Sequence, residues 1–499
     1  MVVSRYILIG RSFKQACSLD FRVPKLSRKH PSSAQLHHHR LSSPLLLGTL
    51  VTMLSRSTIG RQAQRALRQQ TRGLAAPASG SFSYETGTAS GVKFASRDVA
   101  GPTTTLALVS KAGTRYESLP GLSLGLQAYA FKGTQRRSAL RIQRESELLG
   151  SDISSYHSRE NLVIKAKFLR DDLPYFMELF AEVASQTKYA PHIYHEEIHP
   201  YIQLHRQKLL GDVKEMAINS AHGLAFHRGL GAALNPTSSI PSKYLSADTI
   251  EEFAQSAYAK PNFALVANGA EHGEVSKWAN EFFGDVRSQP ATTLESPQTK
   301  YHGGEERIAH ASGNAMVLAF PGSSSFTGGF YKPEIAVLAA LLGGQSTIKW
   351  SPGFSLLAKA GDKHPGASVV TKSAIYSDAG LLSVGISGSA KDVRGAAGTV
   401  VNVIQEIASG VSKEEFQKAK ALAKFKELEA GENVNHGLEL TGAGLVHGDK
   451  AYQIDEVAKA FDGVTEDQAA KSLLENKASV SAVGDLYMLP YAEEIGLKV

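Results

Sequence analysis

Residues 195–199 read His-Glu-Glu-Ile-His, a spacing that could bind a catalytic zinc ion. On a helix, His195 and His199 at i and i+4 would both reach zinc, while Glu196 would act as the general base. Pro200 follows at once, and a proline disfavours the helical conformation in the residue before it. We therefore expect His199 at or before the first helical turn, where the two histidines need not share a face. We interpret this motif as a chance match and predict no metal site there.

A second stretch that could carry chemistry is residues 122–134, L-S-L-G-L-Q-A-Y-A-F-K-G-T. Its A-F-K-G-T tail resembles the tail that follows the zinc motif H-x-x-E-H in the pitrilysin/insulinase-like peptidases. In that register Leu124 and Ala128 replace the two histidines and Gln127 replaces the glutamate. Leucine and alanine offer no lone pair to a metal, and a glutamine amide cannot accept a proton at neutral pH. The resemblance therefore implies the scaffold of a zinc peptidase without its catalytic residues, metal or cofactor.

The resemblance also implies a third, carboxylate ligand further along the chain, near His205. No acid stands there, and Arg206 and Lys208 follow instead. A zinc site would then lack its third ligand as well.

Residues 343–347, Gly-Gly-Gln-Ser-Thr, could suggest a phosphate-binding loop. They lack the G-x-x-x-x-G-K-[ST] spacing and follow an apolar helix, whereas a P-loop follows a strand. A turn after a helix C-cap explains them better. In the same family, the alpha subunit of the mitochondrial processing peptidase has a longer glycine run here that binds presequences. Lys349 and Trp350 interrupt the run in this chain, so that function is expected to be weakened or lost.

The elements that would position these residues form an internal repeat. Tyr156 and Tyr376 open matching paired-strand patterns about 220 residues apart, and four matched features follow in the same order. The matched pairs are amphipathic helices at 172–183 and 392–407, long helices opening at 196–197 and 414–415, capping boxes at Thr249/Glu252 and Thr465/Gln468, and closing strands at 263–266 and 480–483.

The repeat predicts an α+β fold of two tandem homologous α/β roll domains, each a mixed sheet with helices on one face. The resemblance implies that both are metallopeptidase-like. We predict an N-terminal domain at 80–286, with the degenerate zinc motif, and a C-terminal domain at 300–499. A linker rich in Ser, Thr, Pro and Gln separates them at 287–299.

The basic charge of the chain is concentrated at its N-terminus. Of 54 Lys and Arg residues, 13 lie in residues 1–75 beside one acid, Asp20, so the rest of the chain is slightly acidic. Five arginines recur between positions 56 and 72 at helical spacing, which predicts a disordered mitochondrial targeting segment over 1–75. Residues 1–52, before Met53, need not belong to the natural product. The sole cysteine, Cys17, lies in this segment, so the mature chain offers no thiolate ligand.

A narrower resemblance rests on K-Y-H-G-G-E at 300–305 and Y-S-D-A-G-L at 376–381. Together with the degenerate zinc motif, it points to the inactive members of the family that form the core of mitochondrial complex III, the ubiquinol–cytochrome c reductase. It implies a structural, non-catalytic subunit on the matrix side of the inner membrane. The implied partners are core protein 1, cytochrome b, cytochrome c1 and the small subunits. The alternative is the alpha subunit of the mitochondrial processing peptidase. No apolar run reaches the ~20 residues that span a bilayer.

Overall fold

Two mixed β-sheets, one in each half of residues 76–499, organise the fold. The computed structural model describes residues 83–99, 101–240, 243–294, 297–345, 353, 355–465 and 477–499. The predicted targeting segment (1–75) lies outside these residues, as do Lys349, Trp350 and Gln468. The targeting segment, the linker and the domain boundaries remain predictions.

The first sheet consists of β1 (Glu85–Ala89), β2 (Val92–Arg97), β3 (Thr103–Ser110), β4 (Asp152–His157), β5 (Leu162–Leu169) and β6 (Phe263–Asn268). Their order across the sheet is β1-β2-β6-β3-β5-β4. β2 and β6 pair in parallel, and every other neighbouring pair is antiparallel. The helices of this half are α1 (Leu122–Tyr129), α2 (Ala139–Leu148), α3 (Leu173–Gln186), α4 (His199–Gly211), α5 (Val213–Phe226), α6 (Ala247–Ala257) and α7 (His272–Phe282).

The second sheet consists of β7 (Gly304–Ala309), β8 (Asn314–Pro321), β9 (Ala367–Ile375), β10 (Gly380–Gly388) and β11 (Ser479–Gly484). Their order is β7-β11-β8-β10-β9, with β7 and β11 parallel and the other pairs antiparallel. The helices are α8 (Pro333–Leu342), α9 (Leu356–Gly361), α10 (Ala390–Ser409), α11 (Lys413–Glu432), α12 (Val434–Gly448) and α13 (Ile454–Asp462).

The central strand of the first sheet sends alternate side chains into two different cores, as the period of two in a strand requires. Leu106 and Leu108 of β3 pack in the large core with helices of their own half, including α3. Ala107 and Val109 point to the opposite face and pack with Leu438 and other residues of α12, a helix of the second half.

The second sheet repeats this arrangement with the roles of the halves exchanged. Met316 and Leu318 of β8 pack in the core that includes α10 of the same half. Val317, between them, faces a core built with Ala217 and Ala221 of α5, a helix of the first half. Each sheet is therefore covered on one face by its own helices and on the other by a helix from the opposite half.

The start of α6 corrects one sequence prediction. The predicted capping box at Thr249 and Glu252 is wrong, because α6 begins three residues earlier. Ser246 is the N-cap: its hydroxyl accepts the Thr249 N–H, and the Thr249 hydroxyl accepts the Ser246 N–H in return. Thr249 therefore stands at the third helical position, and its side chain closes the box.

The predicted α+β fold with two tandem units of mixed sheet and helices is confirmed. Strands at the predicted closing positions are β6 and β11, and the predicted amphipathic helices are α3 and α10. Within the described ranges, no helix has the length and apolarity needed to cross a membrane.

Candidate functional site

The degenerate motif lies on α1, a short helix at the centre of the first half. Leu124 is buried in the main core, so its side chain has no access to a bound ion. Gly125 packs closely against α6, since a Cβ there would lie 2.6 Å from Ile250 Cδ1. The helix has no side-chain N-cap. Instead, Glu117 Oε2 accepts the N–H groups of Gly121 at 3.3 Å and Ser123 at 3.1 Å.

Gln127 stands where the family resemblance places the catalytic base, and its amide belongs to a neutral hydrogen-bond network. The amide contacts the Tyr201 hydroxyl at 3.3 Å and His157 Nδ1 at 2.5 Å. His157 Nε2 donates to the Leu234 carbonyl oxygen, which can only accept. Burial lowers the pKa of His157, which disfavours its charged form. The Gln127 amide faces Nδ1 with Oε1, and a half-turn of the amide would present Nε2 as the donor that a neutral ring needs, whereas a glutamate has no N–H to present.

The A-F-K-G-T tail of the motif has a structural role in the turn after α1. Gly133 has φ of 133°, a backbone conformation that favours glycine. The Thr134 hydroxyl donates to Glu182 Oε2 at 2.8 Å, and Lys132 forms an ion pair with Glu197 at 2.5 Å. Arg137 also contacts Glu182, at 2.6 Å. These contacts tie the turn to α3 and to the segment before α4, which explains why the tail can persist without catalysis.

A cavity of about 660 Å³ opens beside α1 at the position of the degenerate motif. Its wall is a mixture of apolar and neutral polar groups, including Gln127, Ala128, Phe131, Leu140, Gln143 and Tyr201. Glu197 is the carboxylate among its lining residues, and Lys132 neutralises it. The residues that line the cavity therefore do not supply a set of metal ligands.

The region expected to hold a third ligand carries an aromatic pair in place of a carboxylate. Tyr201 and His205 lie one turn apart on α4, with their ring centroids 4.3 Å apart. Burial and the Lys208 cation lower the pKa of His205. Sequence reasoning located this region at His205 but missed Tyr201, the residue that contacts Gln127. The helical i, i+4 spacing from His205 was the available signal.

The H-E-x-x-H motif lies on a continuous helical segment, which corrects the expectation that His199 stands at or before the first turn. A helical turn at Pro191–Ile193 and a π-helix at Tyr194–Ile198 precede α4. The wide turn explains how Pro200 is tolerated: the His199 N–H bonds to the Tyr194 carbonyl, five residues back.

The side chains of this motif are not gathered into a site. His195 and Glu196 are exposed, and His199 is half-buried. Across the described residues, no cluster of three or more His, Cys, Asp or Glu side chains is arranged to bind a metal. That His195, Glu196 and His199 bind no metal in solution remains a prediction.

A buried ionic cluster between the halves was missed by sequence reasoning. Arg115, just after β3, contacts Glu160 of the β4–β5 turn at 2.6 Å and Asp378 of the β9–β10 turn at 2.7 Å. Glu160 also accepts the backbone N–H of Ser377 at 2.8 Å. The sequence placed these residues in turns between strands, but nothing in it indicated that the two turns face each other.

Comparisons with protein families agree with this architecture. Residues 93–231 match the family model "Insulinase (Peptidase family M16)", and residues 244–422 match "Peptidase M16 inactive domain". The family resemblance inferred from the sequence is thereby confirmed.

Curated relatives narrow the family further. The chain is 51% identical over 459 residues to cytochrome b-c1 complex subunit 2 of Neurospora crassa, covering 90% of this chain and 100% of the relative. It is 36% identical over 421 residues to the Schizosaccharomyces pombe protein of the same name, covering 83% and 95%. Similarity to subunit alpha-2 of the mitochondrial-processing peptidase from Dictyostelium discoideum is lower, 28% over 416 residues, covering 79% and 89%. The chain therefore belongs to the family of mitochondrial cytochrome b-c1 complex subunit 2.

Proposed function

We propose that this chain is a non-catalytic core subunit of mitochondrial complex III, equivalent to core protein 2. The observation that carries the proposal is the 51% identity to a cytochrome b-c1 complex subunit 2 over that relative's whole length. The geometry of α1 supports the non-catalytic assignment. Leu124 is buried in the core and Gln127 is engaged by His157 and Tyr201.

The proposed role is to provide surface for assembly. The chain retains two sheets and their helices but presents no catalytic group on α1, so selection on the fold would act through its contacts with other subunits. Permanent partners usually bury 2,000 Å² or more in largely apolar contact. The proposed partners are core protein 1, cytochrome b, cytochrome c1 and the small subunits. The proposed location is the matrix side of the inner membrane, with the chain peripheral to the bilayer.

The alternative is a presequence-binding alpha subunit of the processing peptidase. Its expected feature is a glycine-rich loop after the helix that corresponds to α8. Here Gly343, with φ of 61°, ends α8, and Gly344 forms an isolated bridge with Val370 of β9. Both glycines thus serve local backbone needs. The lower identity to the processing-peptidase subunit also favours the complex III proposal.

Depletion of the chain from mitochondria separates these two functions. Ubiquinol–cytochrome c reductase activity and presequence cleavage would be measured in the same preparation. We expect assembled complex III and its activity to fall while presequence cleavage continues. Loss of cleavage with normal complex III would contradict the proposal and support the processing-peptidase alternative.

A further inference from the structure

The segment after β11, residues 485–491 (D-L-Y-M-L-P-Y), displays large side chains to solvent, and we call it the tyrosine loop. Tyr487 is 98% exposed, Tyr491 is 53% exposed and Met488 is 41% exposed. Burying large side chains such as these stabilises a fold. Tyr487 contributes almost none of this in the free chain, so its packing within the chain does not explain its presence.

The backbone of the tyrosine loop is fixed by an arginine from the edge strand β7. Arg307 Nη1 donates to the Pro490 carbonyl at 2.9 Å, and Nη2 donates to the carbonyls of Leu486 at 2.7 Å and Leu489 at 2.9 Å. The same guanidinium lies 3.8 Å from the centroid of the Tyr491 ring. One half-buried cation therefore satisfies three carbonyl groups of the loop and orients one of its rings.

Further contacts anchor both ends of the loop. The Asp485 carboxylate accepts the Tyr487 N–H at 3.1 Å, and Glu305 Oε2 accepts the Ala492 N–H at 3.2 Å. The side chains of Leu489 and Ala492 are buried in the core of the second half. The exposed rings thus project from a rigid base. Binding through a rigid loop loses little conformational entropy, which raises affinity for a partner.

The charges around the rings indicate the chemistry of the partner. Asp485 and Glu493 are exposed acids at the two ends of the loop, whereas Arg307, the cation that contacts the loop, is directed inward by its carbonyl bonds. Anionic lipid surfaces attract clusters of lysine and arginine, so an acidic rim disfavours a membrane. Tyrosine is enriched at the energetic centres of protein interfaces.

We infer that the tyrosine loop is a docking site for another subunit of the complex, through an apolar pocket for Tyr487 whose rim carries lysine or arginine. This inference rests on the proposed function. It adds to that function a specific surface, centred on Tyr487 and Tyr491, and a partner of defined chemistry.

The test is photo-crosslinking within the assembled complex, with p-benzoylphenylalanine in place of Tyr487. The same substitution at Tyr244, which is 67% exposed in the first half, is the matched control. A native gel first reports whether each variant enters complex III, and the crosslinked product is then identified by mass spectrometry. We expect a crosslink from position 487 into one polypeptide, with a yield about tenfold above that from position 244, as for a hot-spot contact. We also expect lysine or arginine beside the crosslinked residue.

A second variant tests the charge argument. Glu493→Lys should lower the crosslinking yield from position 487 several-fold relative to Glu493→Gln, because like charges would face each other across the contact. If the chain enters complex III but position 487 crosslinks no more than position 244, or reaches only lipid or an acidic segment, the inference is overturned and the proposed function stands. If the native chain is absent from complex III, the proposed function is overturned and the inference with it.

Discussion

Arg115 and Asp378 form a two-pronged ion pair that joins the two halves of the chain. Arg115 Nη1 donates to Asp378 Oδ1 and Nη2 donates to Oδ2, each at 2.7 Å. The Arg115 side chain is only 4% exposed and that of Asp378 is 22% exposed. Thr299 adds a backbone N–H to the same carboxylate at 2.9 Å. Burial alone would raise the pKa of Asp378, but the bonds from Arg115 and Thr299 outweigh it and hold that pKa below its usual value.

The cluster brings equivalent turns of the internal repeat together. Glu160, in the turn after β4, contacts both Arg115 and Ser377, and Ser377 lies in the turn after β9. A buried ion pair gives little net stability compared with apolar residues of similar volume, because both charges lose their hydration. Removing one member leaves the other buried and uncompensated, which is strongly destabilising. The cluster should therefore fix the relative position of the turns and make the fold sensitive to single substitutions.

The first prediction compares this pair with an exposed pair of the same geometry. Arg115→Met should lower the free energy of unfolding by about 3–5 kcal/mol, since Glu160 and Asp378 would lose their shared cation. Arg170 also binds a carboxylate with both nitrogens, that of Asp98 at 2.9 and 3.0 Å, but both side chains are substantially exposed. Arg170→Met should cost less than about 1 kcal/mol. Urea unfolding of the purified variants measures both, and similar losses would contradict the role assigned to burial.

The second prediction concerns one buried histidine, His222, and one half-buried histidine, His447, which also connect the halves. His222 on α5 accepts the Tyr376 hydroxyl at Nε2, because its Nδ1 donates to the Ile218 carbonyl. Burial and the nearby Arg159 cation lower the pKa of His222 to about 3. His447 on α12 contacts Asn161 of the first half through Nε2 at 3.0 Å. Burial lowers its pKa to about 4. Both rings are thus held neutral in the folded chain.

Acidification should therefore destabilise the contact between the halves. Below pH 6.5 the unfolded chain protonates these histidines while the folded chain does not, so their contribution is present above pH 6.5. It is lost as the pH falls towards 4, by up to about 1.4 kcal/mol per pH unit for each ring. Urea unfolding between pH 7.5 and pH 4.5 should give a shallower pH dependence for His222→Gln than for the native chain. His192→Gln, at an exposed position, is the control, and an unchanged slope in His222→Gln would contradict the prediction.

The extent to which the sequence predicted this structure depends on whether the signal was local. The continuous apolar run of β6 and the amphipathic spacing in α10 each lie within one element, so the strands, helices and repeat could be predicted directly from the sequence. The sequence could not predict that α12 covers the first sheet and α5 the second. An apolar stripe shows that one face of a helix is buried but does not identify the element that buries it. Ser246 was missed as a cap because Thr249 offers the same hydroxyl chemistry three residues later.

The same limit applied to the candidate site. Leu124, Gln127 and Ala128 occupy one short helix, so the loss of chemistry was visible from residue type alone. The Gln127 network draws on β4 through His157 and on α4 through Tyr201, 74 residues from Gln127. Which side chains replace the metal site depends on how those elements pack, and that information is not local.

The third prediction tests how closely α12, the helix of the second half that covers the first sheet, packs against β3. Gly442 of α12 is the test position and Gly398 of α10 is the control. A Cβ at Gly442 would lie 2.4 Å from Val109 Cγ2 on β3, across the contact between the halves. Gly442→Ala should therefore destabilise the chain by about 1–3 kcal/mol through overpacking. A Cβ at Gly398, inside α10, would meet no atom within 4 Å. Gly398→Ala should stabilise by about 0.5–1 kcal/mol, because alanine is the better helix former. Thermal unfolding measures both, and a neutral Gly442→Ala would show that α12 is loosely packed.

The fourth prediction is that restoring the base alone restores no peptidase. Gln127→Glu places a carboxylate beside His157 and Tyr201 in the cavity of about 660 Å³. It should raise the pKa of His157, because an adjacent anion favours the imidazolium. Zinc would still lack two ligands, since Leu124 and Ala128 carry no donor atom. Metal analysis should find no stoichiometric zinc in the native chain or the variant, and neither should cleave an unfolded peptide. The His157 pKa can be measured by NMR, so the variant has a positive readout besides the absence of cleavage.

His195→Ala is the control for the second motif and should change stability by less than about 0.5 kcal/mol, as expected at an exposed position. One equivalent of zinc in the native chain that disappears in His195→Ala would instead establish a metal site at His195, Glu196 and His199.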